Sequence, residues 1–408
     1  MTDCTQPNPP VVHRARRPGS PTRGRVATAL MLLGLSGSAL SGQGRSLVVA
    51  ATDTIGLNYD FTRIAQASIG PAGIVAVAQP NDHQILLFDL ARLDTPPTVV
   101  GRKGEGPGEF SGLAGIGWIG STLWAGDWSR PRIEFFDATG KLLRSKQFTP
   151  PTSPTRPARY VAPTLVLRGE SLIYFPSLMF FPGSETPAGY DPAFPILLSV
   201  QGRGSADTIA LIKMLDAGMI LRGDRGSMVA NQPLTPLNIL VAGAGGERAL
   251  LVLQAEPEAR VGRAQVRVIS ATGARIYDRD LGVQASPVSD RTWDSVVTHW
   301  VTTSVPRTWS TAALAKAGLA EGLVRPRTSP AVSAALLGQD GRAWIRVVEV
   351  RNGMVVWRVL APSGAEQGTV TLPAGLRLLD AAANFLVGAV SDADGVEHLV
   401  RLRLAAAR

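Results

Sequence analysis

The chain has 408 residues, with 41 Lys and Arg against 32 Asp and Glu, and a formal net charge of +9 at pH 7. Its basic residues are spread along the chain beyond residue 42 and form no run there, whereas nucleic-acid binding needs a clustered basic face, so we expect no nucleic-acid partner. The single cysteine, Cys4, excludes an intramolecular disulfide and a zinc site made of paired cysteines.

Residues 1–42 have the pattern of a signal peptide for export. Five arginines precede a short apolar run, Val26–Leu35, and the mostly small residues of Ser36–Gly42 suit cleavage. The apolar run is shorter than the ~20 residues that a transmembrane helix needs. Two alternatives stay open: a twin-arginine signal at Arg16-Arg17, and a true start codon further along the chain. We expect a mature domain of residues 43–408 that is periplasmic or secreted and has no integral membrane segment.

Short apolar strands broken by Gly, Pro, Asp and Asn dominate the rest of the chain, which indicates an all-β fold. One unit recurs, an apolar strand that ends in a small or acidic residue before a glycine turn. Its copies lie 48 to 91 residues apart, at Ile85–Asp89, Ile133–Asp137, Ile196–Ser199, Val266–Ser270 and Val356–Ala361. This spacing fits one four-stranded sheet per unit, as in the blades of a β-propeller.

A sixth unit at the C-terminus lacks one strand. Leu376–Asp380, Asn384–Val390 and Val396–Leu404 supply three strands, and Leu47–Ile55 is a strand without a sheet. Pairing Leu47–Ile55 with the last unit closes the ring and removes its exposed edges. The predicted fold is a six-bladed β-propeller, or a seven-bladed one if Val229–Val241 forms its own unit.

Two neighbouring segments carry a family resemblance. Gly101–Phe110 reads GRKGEGPGEF, a glycine-rich loop that suits positive φ angles, and Arg130–Gly140 reads RPRIEFFDATG. Together they resemble a joint of the exported six-bladed propellers of bacteria with NHL-type repeats. The resemblance implies that the loop crosses between two blades, that Phe110 packs between them, and that Arg102, Lys103 and Glu105 are exposed or paired.

Two insertions interrupt the strands. Phe175–Phe194 is a long loop rich in aromatic residues and proline. Residues 286–324 form a predicted helical insertion, in which Ser289 caps an amphipathic helix, Pro306 ends it, and Ser310–Ala317 forms a second helix. The apolar stripe of the first helix contains Trp293, Val296, Val297, Trp300 and Val301. We expect this insertion to act as a lid or as a static brace.

Catalytic motifs are weak. His83, His299 and His398 lie near no G-x-S-x-G elbow, no zinc motif is present, and Gly104-x-Gly106-x-Gly108 lacks the ending of a phosphate loop. Propeller lactonases hold a channel calcium, and similarity to them would give that role to Asp82, Asp127 and Asn231. We expect no catalytic residue, metal or cofactor, with a calcium-dependent hydrolase or lyase as the alternative.

Strand order predicts which loops share a face. Connections between blades and those between second and third strands lie on one face of a propeller, and the elaborate segments all belong to these two classes. Binding tends to reside where insertions concentrate. We therefore expect this face to recognise a protein, peptide or glycan, through Asp82, His83, Arg102, Lys103, Asp127 and Arg130.

Overall fold

Six four-stranded antiparallel sheets form a ring in the computed structural model of the protein. The first strands of successive sheets contact one another, and the first strand of the last sheet contacts that of the first. The structure describes residues 47–127, 129–152, 162–176, 193–213, 218–223, 226–231, 233–254, 261–284, 286–304, 323, 325–351 and 353–406. The six-bladed prediction is confirmed.

The strands are as follows in chain order. A leading strand, β1, spans Leu47–Ile55. Blade 1 contains β2 (Gln66–Ile69), β3 (Ile74–Gln79), β4 (Gln84–Asp89) and β5 (Thr98–Val100). Blade 2 contains β6 (Leu113–Ile119), β7 (Thr122–Asp127), β8 (Arg132–Phe136) and β9 (Leu142–Gln147). Blade 3 contains β10 (Leu165–Leu167), β11 (Ser171–Tyr174), β12 (Ala193–Ser199) and β13 (Ala206–Lys213).

A two-stranded hairpin, β14 (Gly218–Gly223) and β15 (Gly226–Asn231), precedes blade 4. Blade 4 contains β16 (Ile239–Gly243), β17 (Arg248–Gln254), β18 (Val261–Ser270) and β19 (Arg275–Gln284), and helix α1 (Asp290–Ser304) follows it. Blade 5 contains β20 (Val332–Leu337), β21 (Ala343–Arg351), β22 (Met354–Leu360) and β23 (Glu366–Pro373). Blade 6 contains β24 (Arg377–Ala381), β25 (Phe385–Ser391), β26 (Glu397–Ala406) and β1. Short 3-10 turns span Pro71–Gly73, Pro80–Asp82, Arg168–Glu170 and Ala244–Gly246.

The ring closes where the sequence predicts. Strand β1 pairs antiparallel with β26 from Leu47 opposite Ala406 to Ile55 opposite Leu399, with one register shift after Val49. The N-terminal strand thus supplies the outer edge of the last blade. The seven-bladed alternative is wrong, because Val229 lies in the β14–β15 hairpin while Val241 belongs to β16 of blade 4.

The five copies of the repeated unit are the third strands of blades 1 to 5, namely β4, β8, β12, β18 and β22. Each third strand lies inside its sheet, so its apolar side chains pack against the neighbouring blades. Between blades 1 and 2, for example, Leu87, Ile116 and Phe136 form part of one buried cluster. This burial on both faces of a blade explains the continuous apolar runs in the sequence.

Phe110 is fully buried in the cluster between blades 1 and 2, as the resemblance implies. Its ring lies 6.3 Å from the ring of Phe136, measured between centroids. Gly101 has a φ of +82°, and a Cβ there would lie 2.4 Å from the Phe110 ring. The glycine loop therefore needs Gly101 both for its backbone conformation and for the close approach of Phe110.

Helix α1 begins as predicted. The Ser289 hydroxyl accepts the backbone N–H of Thr292 at 3.1 Å, which is an N-cap contact. Trp293, Val296 and Val297 are half-buried, whereas Asp294 between them is exposed. The predicted second helix and most of the aromatic loop after Phe175 lie outside the described residues, and so does the predicted signal peptide. Within the described residues, no helix is long and apolar enough to span a membrane.

Candidate functional site

The alternating strand directions divide the connections between two faces of the ring. One face, called here the loop face, carries the links between blades and those between second and third strands. These include residues 56–65, 80–83, 101–112 and 129–131, the hairpin β14–β15 and helix α1. The opposite face, called here the turn face, carries the turns between first and second strands, at residues 70–73, 120–121, 168–170, 244–247, 338–342 and 382–384.

All six predicted binding residues belong to loop-face connections or strand ends of blades 1 and 2. Asp82 and His83 link β3 to β4, Arg102 and Lys103 belong to the glycine loop, and Asp127 and Arg130 flank the link from β7 to β8. The two groups adjoin, since a Cβ placed on Gly101 would lie 3.4 Å from the backbone oxygen of His83. The topology thus brings the predicted residues to one region of the ring.

Glu109 organises the glycine loop. Its carboxylate accepts the N–H of Gly106 at 2.9 Å and the Arg102 Nε at 2.7 Å. These hydrogen bonds, first that of Gly106 and then that of Arg102, hold the pKa of Glu109 below its usual value. A Cβ on Gly104 would lie 2.1 Å from a Glu109 carboxylate oxygen, so the folded-back Glu109 side chain would have to move if another residue stood there.

The expectation of positive φ angles is only partly met in this loop. Gly101 and Gly108 have φ values of +82° and +75°, while Gly104 and Gly106 are not among the positive-φ glycines. At Gly106 the constraint is again Glu109, whose carboxylate oxygen would lie 3.1 Å from an added Cβ. Gly104 and Gly106 therefore lie close to the Glu109 side chain, and neither has a left-handed backbone.

Buried Arg132, in β8 of blade 2, binds the backbone of the same loop. It donates to the backbone oxygens of Glu105 at 2.9 Å and Glu109 at 2.7 Å. It also contacts the fully buried carboxylate of Glu134, with 2.7 Å between nitrogen and oxygen. A buried guanidinium loses its water, and here the two backbone oxygens and the Glu134 carboxylate replace it, so Arg132 anchors the loop backbone at Glu105 and Glu109.

Asp127 is buried, and its carboxylate holds neighbouring backbone segments together by hydrogen bonds. Its carboxylate oxygens accept three backbone N–H groups, those of Ser111 at 2.9 Å and of Gly112 and Ser129 at 3.0 Å. Only 1% of the residue is exposed. These contacts fix the end of the glycine loop against β7, and contact of Asp127 itself with a ligand stays a prediction.

The remaining predicted residues are more accessible. The Arg102 and Arg130 side chains are 81% and 41% exposed, and Arg130 forms an ion pair with Glu105 of the glycine loop. Lys103 is exposed, and its backbone forms a bridge to Phe110. The loop face thus presents three cationic side chains, two on the glycine loop and one on the adjoining link between β7 and β8.

Asp82 and His83 form the adjoining part of the region. The Asp82 carboxylate accepts the Thr62 hydroxyl at 2.5 Å. His83 has a φ of +55°, and its Nδ1 is buried without a hydrogen-bond partner among the described residues. Burial first, and then the charge of Asp82, raises the pKa of nearby Tyr59, whose hydroxyl donates to Gln79 at 3.4 Å.

The calcium alternative names Asp82, Asp127 and Asn231 as metal ligands. Within the part of the chain that the structure describes, no group of three or more His, Cys, Asp or Glu side chains is placed to hold a metal ion. The oxygens of Asp127 already accept three N–H groups, and the side chain of Asn231 lies outside the described residues.

A cavity on the turn face has no counterpart in the sequence predictions. Its volume is about 370 Å³, and its walls come from the turns of blades 1, 2, 4, 5 and 6. The lining residues are Ile69, Gly70, Pro71, Gly73, Trp118, Gly120, Gly245, Gln339, Ala382 and Phe385. Glycine turns mark several of these positions in the sequence, but nothing there indicates that they converge.

Buried Asp380 lies behind the wall of this cavity. Its Oδ2 accepts the N–H of Ile69 at 2.7 Å and the Gln339 Nε2 at 2.9 Å, and its Oδ1 accepts the N–H of Ala381 at 2.7 Å. Burial raises the pKa of Asp380 to about 7, against the opposing effect of these hydrogen bonds. A carboxyl that titrates near neutral pH therefore joins blades 1, 5 and 6.

Comparisons with known proteins found only distant structural likenesses. No protein-family model matches the sequence, and no curated protein matches it. A solved structure of a DUF4221 family member from Bacteroides vulgatus is 8% identical, with a TM-score of 0.46 over 89% of this chain and 99% of the other. A solved structure of a protein from Bacteroides fragilis is similar at 9% identity and a TM-score of 0.39, over 89% and 99% of the two chains.

An enzyme is also among the similar structures. The PQQ-bound form of an aldose sugar dehydrogenase from Streptomyces coelicolor is 13% identical, with a TM-score of 0.40 over 88% of this chain and 98% of the other. Propellers support many unrelated activities, so none of these likenesses carries a function to this chain.

Proposed function

We propose that the protein is an exported, non-catalytic β-propeller of the NHL-like type, which binds a protein, peptide or glycan of the cell envelope on its loop face. One observation carries the proposal. The elaborate connections of the described chain, namely residues 56–65, the glycine loop, the β14–β15 hairpin and α1, all belong to the same face. Insertions that collect on one face of a repeat scaffold are where binding tends to occur.

The chemistry of the glycine loop suits a polar ligand. Arg102, Lys103 and Arg130 offer donors, while Asp82 and Glu105 offer carboxylate acceptors close by in the fold. The loop beneath them is held by buried Asp127 and Arg132, so little ordering entropy is lost on binding. A mixed set of donors and acceptors on a rigid platform matches the hydroxyls of a glycan or the backbone of a peptide.

The experiment is a binding screen of the mature chain against a glycan array and a displayed peptide library. Lys103→Ala is the test variant and Lys141→Ala its matched control, because Lys141 is an exposed lysine in the turn between β8 and β9, and turns between third and fourth strands also lie on the turn face. We expect K103A to weaken binding of the hits by about tenfold, which corresponds to ~1.4 kcal/mol, and K141A to leave it unchanged. Equal losses in both variants, or a loss in K141A alone, would overturn the assignment of the loop face.

A further inference from the structure

The walls of the turn-face cavity combine glycine backbone with a few apolar and aromatic side chains. Trp118 donates its indole N–H to the backbone oxygen of Ser68 at 3.1 Å, which fixes the ring across the boundary of blades 1 and 2. A Cβ on Gly70 would lie 2.3 Å from this indole, so the ring lies directly on the glycine backbone. Gly120 stands beside open space, since an added Cβ would meet nothing within 4 Å.

Hydrogen bonds between blades hold these walls together. Gly120 donates to the backbone oxygen of Gly245 at 3.0 Å, which joins blades 2 and 4. Gly245 donates to the Gln339 Oε1 at 3.0 Å, and Gln339 donates to Asp380 at 2.9 Å. The cavity is thus bounded by a chain of bonded turns, and a pocket held in this way is already formed before a ligand binds.

The uncharged walls of the cavity disfavour binding of a charged ligand. None of the lining residues is charged. The nearby cation Arg342 is committed to Asp340 at 2.5 Å and to the backbone oxygen of Ala383 at 2.5 Å. The oxygens of Asp380 already accept three N–H groups, so they cannot readily pair with a ligand cation. A charged ligand would therefore lose its hydration without gaining a partner.

Among the lining side chains, Gln339 is the one that can form a hydrogen bond with a ligand. A primary amide has two N–H groups and two lone pairs, and the hydrogen bonds to Asp380 and Gly245 use one of each. One donor and one acceptor are left over. The half-buried ring of Phe385 and the half-buried Pro71 provide most of the apolar contact surface, and Trp118, which is 3% exposed, contributes only an edge of its ring.

We infer that the turn-face cavity is a second binding site, for a small, uncharged, flat ring compound that makes a hydrogen bond to Gln339. A volume of about 370 Å³ lies within the range of small-molecule pockets. The site is on the opposite face from the proposed envelope-binding surface and does not rest on that proposal.

The test uses three probes that share one ring and differ in charge: indole, indole-3-carboxylate and tryptamine. Saturation-transfer NMR with the mature chain measures binding, and nuclear Overhauser contacts from the bound ring to Trp118 and Phe385 locate it. We expect indole to bind, with both charged analogues at least about tenfold weaker. No binding of indole, binding of all three alike, or contacts elsewhere on the protein would overturn the inference.

Two matched variants give an independent check. Ala382→Leu adds bulk to a lining residue, and Ala383→Leu adds the same bulk at the next, exposed position, which does not line the cavity. A382L should weaken indole binding by about tenfold or more, whereas A383L should not change it. An unchanged affinity in A382L, with the melting temperature of both variants preserved, would contradict the site.

Discussion

The carboxylate of Asp380 accepts the backbone N–H of Ile69 at 2.7 Å, across 311 residues of sequence. Asp380 belongs to the first strand of blade 6 and Ile69 to the first strand of blade 1, so this bond lies at the closure of the ring. The β1–β26 pairing closes the same blade at its outer edge. The first and last blades are therefore held together by a hydrogen bond between their inner strands, and β1 completes the outer edge of blade 6.

Asp380 should make stability depend on pH. Its pKa is raised from 3.8 to about 7 in the native state, so the native protein binds this proton more tightly than the unfolded chain does. Its contribution to the free energy of unfolding is full below about pH 4 and is lost as the pH rises through 7, at most about 4 kcal/mol. Asp380→Asn removes the titration.

Chemical denaturation of wild type and D380N from pH 4 to 8 measures this effect. The wild-type free energy of unfolding should decline relative to that of D380N as the pH rises. Other carboxylates, such as Glu109 and Asp137, have lowered pKa values and act in the opposite direction, but they are common to both proteins. Parallel pH profiles would show that Asp380 is ionised throughout this range.

Removing the Phe110 ring should create a cavity between blades 1 and 2. Phe110→Ala is expected to cost ~3–5 kcal/mol because the side chain is fully buried. Val99→Ala is the control, since Val99 lies on the outer strand of blade 1 and is 54% exposed, and it should change stability by less than ~0.5 kcal/mol. Similar melting temperatures for F110A and wild type would show that the ring is not a core residue.

The glycines of the loop should differ in their tolerance of alanine. Gly101→Ala must adopt a positive φ and also displace the Phe110 ring, so it should cost more than ~1–2 kcal/mol. Gly106→Ala meets only the end of the flexible Glu109 side chain at 3.1 Å and should cost less. Thermal denaturation compares the two variants, and a larger loss for G106A would contradict this ranking.

Deleting residues 43–56 should open the ring. The deletion removes β1 and leaves β26 as an exposed, ten-residue edge strand. Unpaired edges of this length promote association with other chains. Size-exclusion chromatography should show aggregates, and a monomeric deletion variant with the wild-type melting temperature would contradict the closure by β1.

Much of the fold could be predicted because the third strands of blades 1 to 5 are apolar runs that end in a small or acidic residue, and Ile85–Asp89 and Ile133–Asp137 show this most clearly. The closure by Leu47–Ile55 could be predicted because a three-stranded last blade would leave an unpaired edge, and one strand at the N-terminus had no sheet. First strands gave weaker signals, since β2 and β10 are only four and three residues long.

The candidate sites were harder to predict. The predicted topology places Arg102 and Asp127 in one region. The sequence does not show that the Asp127 carboxylate already accepts hydrogen bonds from three backbone N–H groups. The turn-face cavity was missed because its walls combine turns as distant as Gly70 and Phe385. Such convergence depends on the angle between blades, which local sequence patterns do not encode.

The measurement that tests the central claim most directly is a hydrogen-exchange footprint of the mature chain with the strongest hit of the glycan and peptide screens. The account predicts slower exchange at residues 56–65, 80–83 and 101–112 of the loop face, with no change at the turns 70–73, 244–247 and 382–384. Protection confined to those turns, with the glycine loop unaffected, would contradict binding on the loop face.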